Sequence, residues 1–309
     1  IEKLTKSFGK SLLNVNLTGG EPFARKDITD IAKLYILNTT IQSIYVTTNA
    51  SLPDRIENFV KEITSFKDSI ELTFQISIDD FPEMHNKVRK IKNLFSNCIE
   101  TFNRLKNISD KINPVANITV THENCDNIAA IYNYLKNDCK IESIKCTIVR
   151  DEGVFKTPIE KREKILQAYT FLTQKISEDI KSKKIKNYNL KSILGRVHTA
   201  KDQISWKMVK EIYLDNKYIS PCHAASLFGM ITSKGHIYPC EILEKKKLGS
   251  LRENDMNFTK IWNNKETYDT KKFILESKCR CTYGCALSFN ILGNYRYQPK
   301  LIASALGFY

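Results

Sequence analysis

The first half of the chain alternates short apolar, β-branched runs with stretches in which apolar residues recur at helical spacing. The strand-like runs are residues 12–17, 43–48, 71–78, 115–121 and 143–149. The helical stretches between them are residues 28–38, 54–66, 83–106 and 127–135. Strands that alternate with helices predict right-handed crossovers and a parallel sheet covered by helices. The nearly continuous apolar runs favour strands that are buried on both faces, in an open doubly wound sheet or a partial barrel.

After residue 149 the pattern changes. The sequence Thr157-Pro158-Ile159-Glu160 offers an N-cap, a proline at the first helical position and a capping-box glutamate, which predict a helix to about Ile180. A weakly patterned connector then leads past Trp206 to Pro221, and short strands, turns and cysteines follow. We therefore predict three parts: residues 1–155, a helical connector over 156–215, and a cysteine-rich domain over 216–309.

Composition narrows the class of protein. The 309 residues are 42% hydrophobic and 27% charged, which is typical of a folded chain with a sizeable core. No apolar run approaches the roughly 18 residues that a membrane span requires, and no secretory leader is visible. These features predict a soluble, cytoplasmic protein.

The net charge of +14 comes from lysines spread over nearly every segment. Such a distribution is typical of a solvated surface, so it favours this interpretation over nucleic-acid binding, although a basic surface also attracts polyanions. An anionic substrate or peptide partner is the remaining alternative.

The tetrapeptide Gly19-Gly20-Glu21-Pro22 directly follows the first predicted strand. Paired glycines let the backbone approach a ligand closely, and ligands of α/β sheets lie at the carboxyl ends of the strands. An ordinary strand-to-helix turn would also use glycine and proline, so this motif alone leaves both interpretations open.

Polar residues also follow the other predicted strands. They are Thr48-Asn49, Ser77-Ile78-Asp79 with His85 and Arg89 beyond it, Thr121-His122-Glu123-Asn124, and Arg150. Each could be a helix cap or a surface group. Because the carboxyl ends of parallel strands meet at one edge, their joint placement predicts a ligand site there.

Nine cysteines include five near the end of the chain, namely Cys222, Cys240, Cys279, Cys281 and Cys285. An odd total and the Cys-x-Cys-x-x-x-Cys tract argue against a disulfide framework and favour metal ligation in a reducing compartment. Thiolates suit an iron–sulfur cluster or zinc, and the spacing alone does not decide between them.

Taken together, these motifs resemble those of radical S-adenosylmethionine (SAM) enzymes of the SPASM/twitch subgroup. The resemblance is carried by Gly19–Pro22, Thr48-Asn49, Ser77-Ile78-Asp79 with His85 and Arg89, and the tail Cys-x12-Gly-x4-Cys followed by Cys-x-x-x-Cys. It implies an α/β fold, namely a partial (β/α)6 TIM-like barrel that here lacks its first strand, plus a small cysteine-rich iron–sulfur domain.

The resemblance also implies a chemistry. Reductive cleavage of SAM beside a [4Fe–4S] cluster gives a 5′-deoxyadenosyl radical, which abstracts hydrogen from a substrate, often a peptide. By this resemblance, the methionyl amino group of SAM would be held by Gly19, Gly20, Glu21 and Pro22. Its methionine or ribose portion would contact Asn49 and Ser77, and its carboxylate would meet Arg150. Asp79 would order the end of its strand. An electron donor such as flavodoxin or ferredoxin is implied as a partner. No general base is assigned, with His122 and His236 as candidates.

Two departures from the family pattern matter. No Cys-x3-Cys-x2-Cys loop precedes Gly19, and Cys98, Cys125, Cys139 and Cys146 lack the spacing to replace it. The radical-generating cluster is therefore expected only in the intact protein. We interpret the chain as an inactive, N-terminally truncated product or gene model, with a naturally inactive homologue as the alternative.

The tail has fewer cysteines than a full SPASM domain, which suits one auxiliary [4Fe–4S] cluster. Its predicted ligands are Cys222, Cys240, Cys285 and one of Cys279 or Cys281. Two other hypotheses stay open: a non-catalytic iron–sulfur or ligand-binding module, and a zinc-ribbon nucleic-acid protein. The substrate of an enzyme could be a peptide, a small molecule or a carbohydrate.

Overall fold

The computed structural model describes residues 1–150, 157–186, 188 and 190–308. The chain forms two compact units. The N-terminal unit comprises Ile1–Thr147 with Gln174–Asn187, and the C-terminal unit comprises Ile148–Thr173 with Tyr188–Tyr309. The three-part domain division made from the sequence stays a prediction.

Strands and helices alternate through the N-terminal unit, as predicted. In chain order they are α1 (Glu2–Ser7), β1 (Asn14–Leu17), α2 (Ile28–Asn38), β2 (Ser43–Thr48), α3 (Pro53–Phe66), β3 (Glu71–Ser77), α4 (Pro82–Arg89), α5 (Leu94–Leu105), β4 (Ile112–Val120), α6 (Ile128–Asn133) and β5 (Ile144–Ile148). A π-helical turn, Tyr134–Asp138, extends α6.

The five strands form one sheet in the order β1-β2-β3-β4-β5. Strand pairs β1–β2, β2–β3 and β3–β4 are parallel, with Val46 opposite Phe74 and Ser77 opposite Asn117. The carboxyl ends of these strands therefore lie along one edge, which is where the polar residues that follow each strand were predicted to gather.

The two faces of this sheet differ, contrary to the expectation that both would be apolar. On one face, Ile44, Val46, Phe74 and Ile76 are fully buried. On the other face, polar side chains such as Thr47 alternate with them and remain half-buried. The strands thus follow the period-two alternation of a sheet with one polar face.

The single helix predicted over residues 83–106 is wrong, because the structure has two. Lys90 and Asn93 adopt left-handed backbone conformations, with φ of 56° and 59°, and these end α4 and start α5. The side-chain oxygen of Asn86 accepts a hydrogen bond from the backbone N–H of Phe95 at 2.8 Å, which caps the new helix.

The helical connector predicted over residues 156–215 contains two helices, and the second lies where the sequence pattern is weak. Helices α7 (Arg162–Lys181) and α8 (Ile193–Asp215) occupy this part of the chain. In α8 the polar residues Thr199, Asp202 and Ser205 are buried beside apolar ones. Burial of polar groups obscures the 3.6-residue apolar period by which an amphipathic helix is identified.

The rest of the C-terminal unit consists of short elements. A three-stranded antiparallel sheet is built from β6 (Met230–Ile231), β7 (His236–Tyr238) and β8 (Gly249–Ser250). The helices are α9 (Phe258–Trp262), α10 (Lys265–Glu276), α11 (Gly284–Leu292) and α12 (Gln298–Ala305). Among the helices of the described chain, none has the length and hydropathy needed to span a bilayer.

Candidate functional site

The turn after β1 leaves its backbone open. Gly19 has φ of +140°, a conformation that side chains disfavour, and a Cβ placed at Gly19 or Gly20 would meet no atom within 4 Å. Pro22 starts a 3-10 turn, and Phe23 is fully buried, with its ring centroid 5.5 Å from that of Phe59. The buried ring of Phe23 therefore anchors the turn, while its glycine backbone faces open space.

The Glu21 carboxylate ties this turn to the neighbouring strand end. Its Oε1 accepts hydrogen bonds from the Phe23 backbone N–H at 3.1 Å and from Thr48 Oγ1 at 2.8 Å. Its Oε2 accepts a hydrogen bond from the Asn49 backbone N–H at 2.8 Å. Three protein donors thus hold the carboxylate, so Glu21 fixes the ends of β1 and β2 against each other.

A buried thiol connects the next two strand ends. Cys98 on α5 lies with Sγ 3.3 Å from the backbone carbonyl oxygen of Asn49 and 3.8 Å from that of Ser77. Burial raises the pKa of this thiol to about 12, so it remains protonated and can donate. The Asn49 side-chain oxygen accepts a hydrogen bond from the Ser51 backbone N–H at 2.9 Å.

Asp79 organises the end of β3. Its Oδ1 accepts a hydrogen bond from the Thr119 backbone N–H at 2.9 Å, and its Oδ2 pairs with Arg89. Its backbone carbonyl accepts a hydrogen bond from Asn124 Nδ2 at 2.8 Å. These contacts join β3 to the region around the end of β4, and the ordering role of Asp79 in a SAM site stays a prediction.

His85 completes the buried network. Its Nδ1 accepts a hydrogen bond from the Asp79 backbone N–H at 3.3 Å, and its Nε2 lies 4.0 Å from Cys98 Sγ. Burial lowers the pKa of His85 to about 4, with Asp79 opposing and Arg89 reinforcing this shift. A neutral imidazole that accepts at Nδ1 carries its proton at Nε2, on the side that faces the thiol.

Three cysteines gather in the C-terminal unit. Cys240 is buried in an apolar cluster with Ala224 and Ile274, and Cys222 and Cys279 pack against it. A hydrogen bond from Cys279 lowers the pKa of the Cys222 thiol to about 6, and the pKa of Cys279 itself is raised. None of the cysteines in the described residues forms a disulfide.

Backbone N–H groups also reach these sulfurs. The N–H of Ala224 lowers the pKa of Cys222, and those of Ile242 and Leu243 oppose the burial that raises the pKa of Cys240. Clustered thiols with N–H donors in an apolar shell have the donor chemistry of an iron–sulfur site. Within the described residues, however, no three Cys, His, Asp or Glu side chains are arranged to coordinate a metal ion. The structure therefore supplies the donors but not the coordination geometry.

The remaining two cysteines of the tail lie close by in the chain. Cys281 is buried and Cys285 is exposed, at the start of α11. The side chains of Cys285 and Tyr283 interact, and the Tyr283 hydroxyl donates a hydrogen bond to Glu241 Oε1 at 3.1 Å.

Arg150 also contacts this part of the C-terminal unit. Its Nη2 lies 3.1 Å from Glu241 Oε2, and its guanidinium carbon lies 4.6 Å from the centre of the Tyr283 ring. The contact of Arg150 with a SAM carboxylate stays a prediction.

Comparisons with known proteins decide the family. A model of the radical SAM superfamily matches residues 1–135, and a model of the SPASM iron–sulfur cluster-binding domain matches residues 222–286. The chain is a radical SAM protein with a SPASM domain. The family predicted from the sequence is confirmed, and the two domains imply SAM and iron–sulfur clusters as cofactors.

Solved structures support the fold. Histidine-tagged anSMEcpe, an anaerobic sulfatase-maturating enzyme with bound AdoMet, is 18% identical, with a TM-score of 0.61 over 99% of this chain and 85% of that chain. Native anSMEcpe with bound AdoMet and the Cp18Cys peptide is also 18% identical, with a TM-score of 0.60 over 100% of this chain and 90% of that one. No curated protein sequence matches the chain. The predicted fold class is confirmed: an α/β partial TIM-like radical SAM barrel with a C-terminal SPASM domain.

The structure brings several of the predicted site residues together. The predicted residues at the ends of β1, β2 and β3 are Gly19, Gly20, Glu21, Pro22, Asn49, Ser77 and Asp79. Glu21 accepts a hydrogen bond from the Asn49 backbone, and the Cys98 thiol reaches the backbone carbonyls of Asn49 and Ser77. The open glycine backbone fits a ligand that carries an ammonium group, since backbone carbonyls can accept its hydrogen bonds. Sequence reasoning missed Cys98, because a buried thiol without a partner motif has no recognisable spacing.

The candidate bases lie in different units. His122 follows β4, and His236 begins β7. No role for either histidine is tested by the structure.

Proposed function

We propose that the intact protein is a radical SAM maturase that removes a hydrogen atom from a peptide or protein substrate. SAM bound beside a reduced [4Fe–4S] cluster supplies the chemistry, since its cleavage yields a 5′-deoxyadenosyl radical that takes hydrogen from a C–H bond. The observation that carries the proposal is the turn Gly19–Pro22, which Glu21 fixes against the end of β2 beside Asn49.

The residues of the strand ends would bind and orient SAM. Exposed backbone groups of Gly19 and Gly20 would accept hydrogen bonds from its amino group, while Asn49 and Ser77 would contact its methionine or ribose portion. Glu21 and Asp79 are positioning residues, because protein donors already occupy their carboxylates. Arg150 is the predicted partner of the SAM carboxylate.

For the auxiliary [4Fe–4S] cluster we propose Cys222, Cys240, Cys279 and Cys285 as ligands. The contact of Cys279 with Cys222 favours it over Cys281 for the position that the sequence left open. In anaerobically reconstituted protein, Cys279→Ser should lose most of the iron, sulfide and charge-transfer absorbance. Cys281→Ser is the matched control and should retain them. If Cys281→Ser lost the iron and sulfide and Cys279→Ser kept them, Cys281 would be the ligand instead. Bound zinc without sulfide would contradict the presence of an iron–sulfur cluster.

A peptide substrate is supported by one neighbour, because the anSMEcpe structure holds the Cp18Cys peptide. We propose flavodoxin or ferredoxin as the electron donor. Radical SAM enzymes that act on a small molecule or a carbohydrate are the alternative within the same chemistry.

Residues 1–309 contain no Cys-x3-Cys-x2-Cys motif, so the activity test is made on the product of the complete reading frame. After anaerobic reconstitution, addition of SAM and dithionite should produce 5′-deoxyadenosine. A product with the motif and full iron content that forms none would contradict the proposal. A complete reading frame without the motif would favour the second candidate, a non-catalytic iron–sulfur or ligand-binding module.

A further inference from the structure

The Cys98 thiol lies between two strand ends that are predicted to contact SAM. Its sulfur is 3.3 Å from the backbone carbonyl oxygen of Asn49, which follows β2, and 3.8 Å from that of Ser77, the last residue of β3. The thiol belongs to α5, which packs against β3 and β4, and it is fully buried. One helix side chain therefore contacts the main chain of two neighbouring strands where their pairing ends.

The thiol is also one member of a directional row of hydrogen bonds. The Asp79 backbone N–H donates to His85 Nδ1 at 3.3 Å, so the ring hydrogen lies on Nε2, which is 4.0 Å from the Cys98 sulfur. The thiol in turn donates to the Asn49 carbonyl. Four residues thus connect the segment after β3 to the end of β2, and aligned hydrogen bonds of this kind strengthen one another.

Burial keeps this row neutral. It raises the pKa of the Cys98 thiol to about 12 and lowers that of His85 to about 4, so at physiological pH the thiol keeps its hydrogen. Most buried cysteines behave as small apolar side chains. Here an apolar residue of similar size would fill the same volume but would leave the Asn49 carbonyl without this donor.

The backbone of Asn49 is held from two sides. Its N–H donates to Glu21 Oε2 at 2.8 Å, and its carbonyl accepts from Cys98. Its side-chain oxygen accepts from the Ser51 backbone N–H at 2.9 Å. Among the described residues the side-chain nitrogen of Asn49 donates to no protein group. The two hydrogens of this amide are therefore available to a ligand, while the rest of the residue is fixed.

Ser77 repeats this arrangement on the next strand. Its side chain is half-buried, and within the part of the chain that the structure describes its hydroxyl makes no hydrogen bond. Its carbonyl oxygen, like that of Asn49, faces the Cys98 sulfur. Two polar groups without protein partners thus sit on backbones that the same thiol contacts. Groups fixed before a ligand arrives bind it with a smaller loss of conformational entropy.

From these contacts we propose that Cys98 is a positioning residue for SAM: its thiol holds the main chain of Asn49 and Ser77 so that their free polar groups meet one ligand. This inference rests on the proposed function and adds a residue to its SAM site. Cys98 itself does not touch SAM, since its sulfur is enclosed by protein.

The test is equilibrium dialysis of labelled SAM, without reductant, against the anaerobically reconstituted product of the complete reading frame, with affinity expressed per bound cluster. Cys98→Val should bind SAM about three- to tenfold more weakly, as expected for the loss of one hydrogen bond that holds the site. Cys98→Ser retains a donor and should bind within about twofold of the wild type. Cys146→Val is the matched control, because Cys146 is a buried cysteine on β5 of the same unit, and it should bind SAM like the wild type.

Urea titration of each variant separates positioning from stability. If valine lowers the urea midpoint strongly, Cys98→Ala removes the donor without added volume and should show the same loss of affinity. Unchanged SAM binding by the apolar variants would overturn the proposal. It would also be overturned if Cys98→Ser bound as weakly as Cys98→Val, because volume rather than the donor would then matter.

The result is independent of SAM cleavage. A wild type that binds SAM but forms no 5′-deoxyadenosine would contradict the proposed function and leave the comparison of the Cys98 variants intact. Equal SAM binding by the variants and the wild type would overturn this inference alone. A wild type that binds no SAM would overturn both.

Discussion

The two candidate sites of this molecule are held together by different means. At the strand ends, Glu21, Asp79 and His85 each bind backbone groups of neighbouring segments, and Cys98 bridges two of them. The cysteine site is built on loops around strands of two or three residues, and Cys222 and Cys279 hydrogen-bond to each other.

The fold alone preorganises the strand-end site, whereas the cysteine site needs its metal to complete it. Protein donors satisfy the Glu21 and Asp79 carboxylates without a cofactor, so the geometry of these two side chains is a property of the sheet. Adjacent thiols lack coordination geometry by themselves, and a metal centre converts its binding free energy into folding free energy. The predictions below test this contrast, from the largest expected effect to the smallest.

Removal of the metal should affect only the cysteine site. After reconstitution, oxidation and chelation should increase amide hydrogen exchange of residues 222–250 by on the order of 100-fold or more. Amides of β2 and β3 should keep their protection, because no predicted cluster ligand lies on these strands. Mass spectrometry of peptic fragments measures both regions at once. Equal deprotection of β2 would refute the contrast between the two sites.

Replacement of Glu21 tests preorganisation directly. Glu21→Gln places an amide N–H where a carboxylate oxygen now accepts, so we expect a loss of about 1–3 kcal/mol in the free energy of unfolding. Urea titration of the N-terminal transition measures it. The matched control is Glu62→Gln, because Glu62 pairs with Lys33 at the surface and its loss should change stability by less than about 0.5 kcal/mol. Similar effects of both changes would argue against a special role for Glu21.

His85 should make stability depend on pH. Its pKa is lowered to about 4 in the folded state from an ordinary value of 6.5. The unfolded chain therefore binds a proton first, and stability falls as the pH drops from about 6.5 to about 4. Denaturant midpoints across this range should fall less steeply in His85→Gln than in the wild type. The control His122→Gln should keep the wild-type dependence of the denaturant midpoint on pH. If His85→Gln also kept it, His85 would be excluded as the source of that dependence.

Arg150 should give the smallest effect. Its side chain is 34% exposed, and that of its partner Glu241 is 32% exposed, so Arg150→Lys should lower stability by no more than about 1 kcal/mol. Lysine keeps the charge but loses the planar stacking on Tyr283. Thermal unfolding measures this loss. Equilibrium dialysis with labelled SAM then examines its other predicted role, since a tenfold weaker SAM affinity would assign Arg150 to the SAM carboxylate.

Local patterns were enough to predict the sheet and the strand-end motif. The strand β2 and the helix α2 begin and end where the residue pattern placed them. The polar face could also have been found, because Glu71-Leu72-Thr73-Phe74-Gln75-Ile76-Ser77 alternates strictly, which indicates one polar and one apolar face. The prediction of two apolar faces is therefore wrong for this strand.

Other features depend on tertiary contacts that a sequence does not display. Lys90 takes a left-handed conformation although lysine has no preference for it, so the break between α4 and α5 has only the weaker indication of Asn93. The contact of Cys98 with Asn49 joins positions 49 residues apart. Arg150 and Glu241 are 91 residues apart, and neither has a motif that would suggest the pair.

The strand order of the sheet has a consequence for biosynthesis. Because spatial order equals chain order, each strand pairs with the one translated just before it, and the growing edge is always the newest strand. The sheet can therefore lengthen stepwise as the chain leaves the ribosome, without waiting for distant segments. Some contacts of this unit form later, among them those of Asp179, whose carboxylate pairs with Lys136 and accepts a hydrogen bond from the Tyr132 hydroxyl at 2.7 Å. Helix α6 acquires this anchor only after some forty further residues have been synthesised.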